Sequence, residues 1–187
     1  MRKQIPGVAL AGLFTAVACG GSGEAPRSQG VASPAAGAAA GGCEGTVTGA
    51  QPGSFTCMAV GNQFAGDEGG EPGQGAIMTV LSNPADPTHR RPEGVKSIGF
   101  NVELRGEPAP GTYSMADAGA TTIGSVIYAE GTQFDQIRSL TLDLSRAEFQ
   151  REQSGFGMKS RVYGIGGSLK ATLADAEGRE VVVEATF

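Results

Sequence analysis

Strict alternation of apolar and polar residues recurs in four separate segments, and it constrains this chain more than any other feature. Ile98, Phe100, Val102 and Leu104 alternate with Ser97, Gly99, Asn101 and Glu103, and Leu140, Leu142 and Leu144 with Thr141, Asp143 and Ser145. The same period returns at Leu169, Ala171 and Leu173, and again at Val181, Val183, Ala185 and Phe187. A period of two places one face of a strand in a core and the other in water, the pattern of antiparallel sheets. Shorter or less regular strands are expected at 54–60, 76–82, 111–115, 123–129 and 157–163. Turn signals separate them at Pro108-Ala109-Pro110-Gly111, Ala129-Glu130-Gly131 and Asp175-Ala176-Glu177-Gly178, the last marking a hairpin between two well-patterned strands. Eight to ten short strands in residues 43–187 predict an all-β domain: an antiparallel β-sandwich, with a closed β-barrel as second choice. Ser145–Gln153 (SRAEFQREQ) reads equally as a capped helix or as the solvated end of a long strand. Composition agrees with the sheet, since 31 glycines among 187 residues fit bulges, tight turns and close sheet contacts.

The first 18 residues have a different character. Arg2 and Lys3 form a short positive start, Ile5 to Ala18 carry no charge, and Ala16-Val17-Ala18 precedes Cys19. A basic start, a short apolar run and a small-x-small site are the parts of a secretory signal peptide. The apolar run is shorter than the roughly 20 residues that a membrane-spanning helix needs. Residues 20–42 are Gly, Ala, Ser or Pro at 19 of 23 positions. Such a segment has too little apolar surface to offset its ordering entropy and is expected to be a disordered, flexible linker reaching on the order of 25–30 Å. The domain plan is therefore 1–18 signal peptide, 19–42 linker and 43–187 β domain.

Ala16-Val17-Ala18-Cys19 resembles the lipobox of bacterial lipoproteins, with Ala16 where Leu is usual. The resemblance implies acylation of Cys19, palmitate included, and a cell-envelope protein anchored by its N-terminal lipid. Gly20 offers no inner-membrane retention signal, so the outer membrane is preferred. The same triplet also suits an ordinary signal peptidase, which would release a secreted protein. No activity comes with the resemblance.

In an oxidising compartment, Cys43 and Cys57 are expected to form a disulfide. A hairpin whose loop centres on Ala50 places 43 opposite 57 and 47 opposite 53. A tight Pro52-Gly53 turn would instead set Thr48 opposite Cys57 and forbid the bridge, but L-Pro-Gly favours turns that splay hairpins. Thirteen intervening residues match no redox or zinc spacing.

Sites of chemistry are sparse. One histidine, His89, lies in the Pro-rich stretch Asn83–Pro92 and is read as an exposed loop residue. Arg90-Arg91 is read as a solvated turn. Asp67, Glu68 and Glu71 on a Gly-rich loop are weak calcium candidates, off the spacing of known calcium loops. Gly73-x-Gly75 and Gly164-x-Gly166-Gly167 lack the strand-to-helix context of phosphate loops. A net charge of -5 argues against nucleic acid. No catalytic motif and no cofactor motif is present. A binding or structural module that meets an envelope protein or ligand is expected. The competing reading is an enzyme built from scattered Asp, Glu, Ser and Tyr, and a further one is a calcium-stabilised adhesion module. A deep pocket with strongly shifted carboxylates would favour the enzyme. C-terminal Phe187 echoes the end of outer-membrane β-barrel strands. Barrel girdles would need more aromatics than no Trp and 3 Tyr, so pairing within the sheet is expected.

Overall fold

A computed structural model describes residues 42–67, 72–82, 85–119, 121–155 and 158–187. Residues 1–41, which hold the expected signal peptide, Cys19 and nearly all of the expected linker, lie outside the described residues. Ten strands, all antiparallel, and no helix occur among the described residues. They are β1 (Cys43–Thr48), β2 (Gly53–Asp67), β3 (Pro72–Ser82), β4 (Val95–Arg105), β5 (Gly111–Ser114), β6 (Ile123–Tyr128), β7 (Gln133–Phe134), β8 (Gln136–Gly155), β9 (Met158–Ala174) and β10 (Glu180–Thr186). The all-β, sandwich-like class read from the alternation is the one observed. Three strands are much longer than that reading assumed, at 15, 20 and 17 residues for β2, β8 and β9.

The strands form one sheet in the order β5-β8-β9-β10-β1-β2-β3-β4-β6-β7. The long strands make this order possible and also split it. Toward one end β2 and β9 pair directly, from Gly61↔Tyr163 to Asp67↔Met158. Toward the other end they diverge, and the β10–β1 pair fills the fork between them. Phe187 closes the crotch of the fork, where its N–H donates to the Gly167 carbonyl (3.0 Å) and its own carbonyl accepts from Gly167 N–H (2.7 Å). β5 and β7 stand at the two edges of the order.

The sheet folds over so that β6 lies against β9. A methyl group at Gly124 of β6 would fall 3.4 Å from Leu173 of β9 and 2.6 Å from the Phe100 ring. Between the layers sit the inward positions of every alternating strand, including Phe100, Val102, Leu142, Leu169, Leu173 and Val183. Burying such side chains is worth roughly 1.5–3 kcal/mol each.

The β1–β2 hairpin has the wide-loop register, with Cys43↔Cys57 and Val47↔Gly53. Cys43 and Cys57 are disulfide-bonded, their Cα atoms 4.8 Å apart. Gly45 stands opposite Phe55, and a Cβ at 45 would lie 2.5 Å from that ring. Only glycine leaves room there for the phenyl ring. The β9–β10 hairpin is also as expected, with Glu180↔Ala174 and a left-handed Gly178 at φ 82°. Asp175 organises that turn, accepting from Glu177 N–H (3.0 Å), Arg179 N–H (2.9 Å) and Arg179 Nε (2.6 Å).

Ser145–Gln153 is strand, part of β8. Its helix-forming residues are overridden by continuous pairing with β9, interrupted by register shifts at Leu144/Arg146 and Phe149/Arg151.

Candidate functional site

A groove of about 630 Å³ lies over β10, β1 and β2. Its floor is two rows of side chains on the outward face, set by strand register: Thr186–Glu44–Thr56 and Glu184–Thr46–Ser54. Neighbours in a row are about 4.8 Å apart, the spacing of adjacent strands. Alternation created this floor, since residues of opposite parity on the same strands, Val47, Phe55 and Ala185, point into the core.

Arg90 and Arg91, from the loop between β3 and β4, complete the lining. That loop is not a free arch. Asp86 accepts from Thr88 N–H (2.9 Å) and Thr88 Oγ1 (2.6 Å), and the His89 N–H donates to the Asp86 carbonyl (3.1 Å). The loop then docks on β2: Thr56 N–H donates to the Arg90 carbonyl (2.9 Å), and Arg90 N–H donates to Thr56 Oγ1 (2.8 Å). Residues 88–90 thereby lie beside β2 where β3 no longer reaches. Pro92 packs over Gly53, where a Cβ would fall 2.8 Å from the proline ring.

This docking corrects the reading of His89 as exposed. Its side chain is only 9% exposed, and Nε2 stands 3.8 Å from Asp86 Oδ2. The folded loop buries the ring, which a free polar loop would leave in water. Arg91 is likewise half-buried, and its Nη1 donates to the His89 carbonyl (3.3 Å). Of the step read as a solvated turn, Arg90 is exposed and Arg91 is not, and both line the groove.

Electrostatically the groove is mixed. Arg90 and Arg91 face a floor containing Glu44 and Glu184, and Glu184 is engaged by Lys170 Nζ at 2.6 Å. Four hydroxyl side chains supply both donors and acceptors. Such a lining suits hydrogen bonding to a polar ligand without net selection for one charge.

A second polar cluster lies at the β2–β9 end. The Tyr163 hydroxyl, buried, donates to Glu107 Oε1 (2.8 Å) and lies 3.2 Å from the Gln63 side-chain amide. Burial and then the Glu107 carboxylate push the Tyr163 pKa up. Arg161 Nε meets Glu152 at 3.4 Å, and Phe149 packs edge-on to Tyr163 with centroids 6.0 Å apart. Nothing in the sequence pattern singled out Gln63, Glu107 or Tyr163: Gln63 at an inward position of β2 looks like a break in alternation, and Glu107 lies in the loop between β4 and β5.

The carboxylates with shifted pKa are held as anions. Hydrogen bonds from the Thr88 hydroxyl and N–H lower Asp86, those from the Thr121 hydroxyl and N–H lower Glu103, and those from the Ser114 N–H and hydroxyl lower Asp117. Burial works to raise Asp175, but the hydrogen bonds and charge of Arg179 outweigh it and its pKa is lowered. A general acid needs the opposite shift. These four belong to turns and loop anchors.

Of the remaining sequence candidates, Asp67 ends β2, while Glu68 and Glu71 lie outside the described residues. Among the described residues no group of three or more His, Cys, Asp or Glu is arranged to hold a metal ion. Gly75 pairs with Arg105 inside the sheet, and Gly164, Gly166 and Gly167 are interior to β9. No protein-family model matches the chain, and no curated protein or solved structure shows significant similarity to it.

Proposed function

We propose that this protein is a binding module of the bacterial cell envelope, tethered by a lipid on Cys19 and presenting the β10–β1–β2 groove to a polar ligand. The groove carries the reading: hydroxyls in register on a rigid sheet, with two arginines held over them by a loop hydrogen-bonded to Thr56. Balanced Arg and Glu side chains and closely spaced hydroxyls favour a polyhydroxylated ligand of low net charge, such as a segment of an envelope oligosaccharide. The signal-like start, Cys19 and the Gly/Ala/Ser/Pro-rich segment support the tether, which would hold the groove tens of ångströms from a membrane surface.

Two measurements test the two halves separately. Intact mass of protein from the native membrane fraction should lack residues 1–18 and carry an acyl adduct. An unmodified chain beginning at Cys19 in the soluble fraction would overturn the anchor and make the protein a secreted one. Soluble cell-wall oligosaccharides, titrated by calorimetry, should bind the wild-type chain and bind at least tenfold more weakly after Arg90→Ala with Arg91→Ala. Equal binding by both proteins would move the ligand away from this groove.

A further inference from the structure

We infer that the free edge of β8 pairs with the same edge of a second copy of this chain, giving an antiparallel, two-fold symmetric dimer. β8 is covered along its full length on one side by β9, as far as Gly155↔Met158. On its other side β5 covers only Thr141 to Leu144. From Ser145 onward no described strand lies on that edge, leaving a run of about ten residues as a template for a further strand.

The side chains on this edge indicate which partner it fits. Charges usually blunt an exposed edge against arbitrary pairing, and this one carries Arg146, Glu148, Arg151 and Glu152. Their arrangement is self-complementary about Phe149 once Gln150, the residue skipped in the pairing with β9, is left out of the count. In an antiparallel copy centred there, Glu148 stands opposite Arg151 of the second copy, Arg146 opposite Gln153, and Ala147 opposite Glu152. Each of these contacts occurs twice.

Directly opposite residues of an antiparallel pair must lie on the same face of the sheet. In a regular strand, residues 148 and 151 would lie on opposite faces. The register shift between Phe149 and Arg151 changes this: Glu148 is paired with Gly164 and Arg151 with Val162, two positions of like parity on β9. Arg146 and Gln153, opposite Gly166 and Ser160, share that face. Ala147 and Glu152, opposite Ile165 and Arg161, share the other. The bulge at Gln150 thus makes the face pattern symmetric as well as the charge pattern.

Phe149 adds an apolar contact beside the two-fold axis. It is 54% exposed, one of three large hydrophobic side chains so exposed among the described residues, and it rests edge-on against Tyr163. Pairing sets the two Phe149 rings opposite one another at the axis. The assembly would carry two grooves and two tethers, but its existence does not depend on what the groove binds.

Charge reversal tests the register. Sedimentation equilibrium of the full chain as purified should show a monomer–dimer equilibrium. Glu148→Arg alone and Arg151→Glu alone each set like charges opposite one another and should weaken the dimer at least tenfold. The double variant E148R/R151E restores both pairs and should recover wild-type association. Hydrogen exchange supplies a measurement independent of variant folding: amides of residues 146–153 should exchange more slowly as wild-type concentration rises, with those of β7 at the other end of the strand order unchanged. A monomer at all concentrations, a dimer indifferent to the single reversals, or a double variant no better than the singles would overturn the inference. So would protection of those amides only on adding an unrelated extended peptide.

Discussion

The outward face of the sheet changes character across its width. Over β9, β10 and β1 it presents Ser168, Lys170, Thr172, Glu184, Thr186, Glu44 and Thr46, with Val182 as the apolar exception. Beyond Thr56 on β2, and on β3 beside it, the corresponding positions are Met58, Val60, Ile77 and Leu81, all half-buried, with Asn62 and Thr79 as the polar exceptions. Both regions share one core on their inward side, so the difference does not come from the fold. It shows that a strand's inner face is dictated by packing, while its outer face is free to record what the strand meets outside. On β10, β1 and the start of β2 that record is a polar floor beneath an arginine-bearing loop. On β2 from Met58 onward and on β3 it is a mainly apolar surface.

The contrast can be broken from the shared side first. Phe55→Ala removes a fully buried ring lying against Gly45 and should cost about 3–5 kcal/mol in denaturant unfolding, in whichever region the probe is placed. A much smaller loss would mean that the two regions do not share one cooperative core. Next comes the seam between them. The disulfide joins β1 to β2, and Cys43→Ser with Cys57→Ser should lower stability by about 3 kcal/mol, read as a fall in melting temperature that reduction of the wild type reproduces.

Smaller effects separate the outer faces themselves. Leu81→Ala should cost about 1–2 kcal/mol because its side chain is half-buried and lies across Gly99, with a Cβ there 3.3 Å from Leu81 Cδ1. Thr46→Ala on the polar floor should stay within about 0.5 kcal/mol. Equal costs at the two positions would reduce the contrast to composition. The smallest effect is pH-dependent and belongs to the turn leading into β10. The Asp175 pKa is depressed in the folded protein, so its contribution is complete above the ordinary value of 3.8 and is lost as pH falls through the depressed one. Asp175→Asn should therefore flatten the acid side of the stability–pH curve and leave neutral pH less affected by acidification than the wild type. An unchanged acid limb would count against the Arg179 contacts.

Where the outer face is polar, the strands were legible: β4 from Ile98, β8 from Leu140 to Leu144, β9 from Leu169 and β10 carry the alternation, broken only at Val182. Where it is apolar, as in Met58–Val60 or Ile77–Leu81, alternation fades and the strands read only as short or irregular. The β1–β2 register could be derived because loop chemistry and cysteine spacing admit one hairpin. Ser145–Gln153 could not be assigned, since its residues favour a helix and its bulge breaks the period; pairing with β9 decides it. The groove was hidden for another reason. Thr56 and Arg90 are 34 residues apart, and the hydrogen bond that sets the arginines over the floor involves a backbone amide that no side-chain pattern records.

The fork between β2 and β9 has a consequence in time. Its filling strands, β1 and β10, are about 140 residues apart in the chain and pair only with each other and with the two arms. As the chain emerges from synthesis, β1 can form its hairpin with β2 early. Its other edge stays bare until the last strand arrives. Folding of this sheet is therefore gated by its latest-made segment, a high contact order that favours slow closure. An intermediate stalled before β10 docks would expose β1 as a vacant edge beside an unfilled cleft, the form most exposed to proteases and to mispairing.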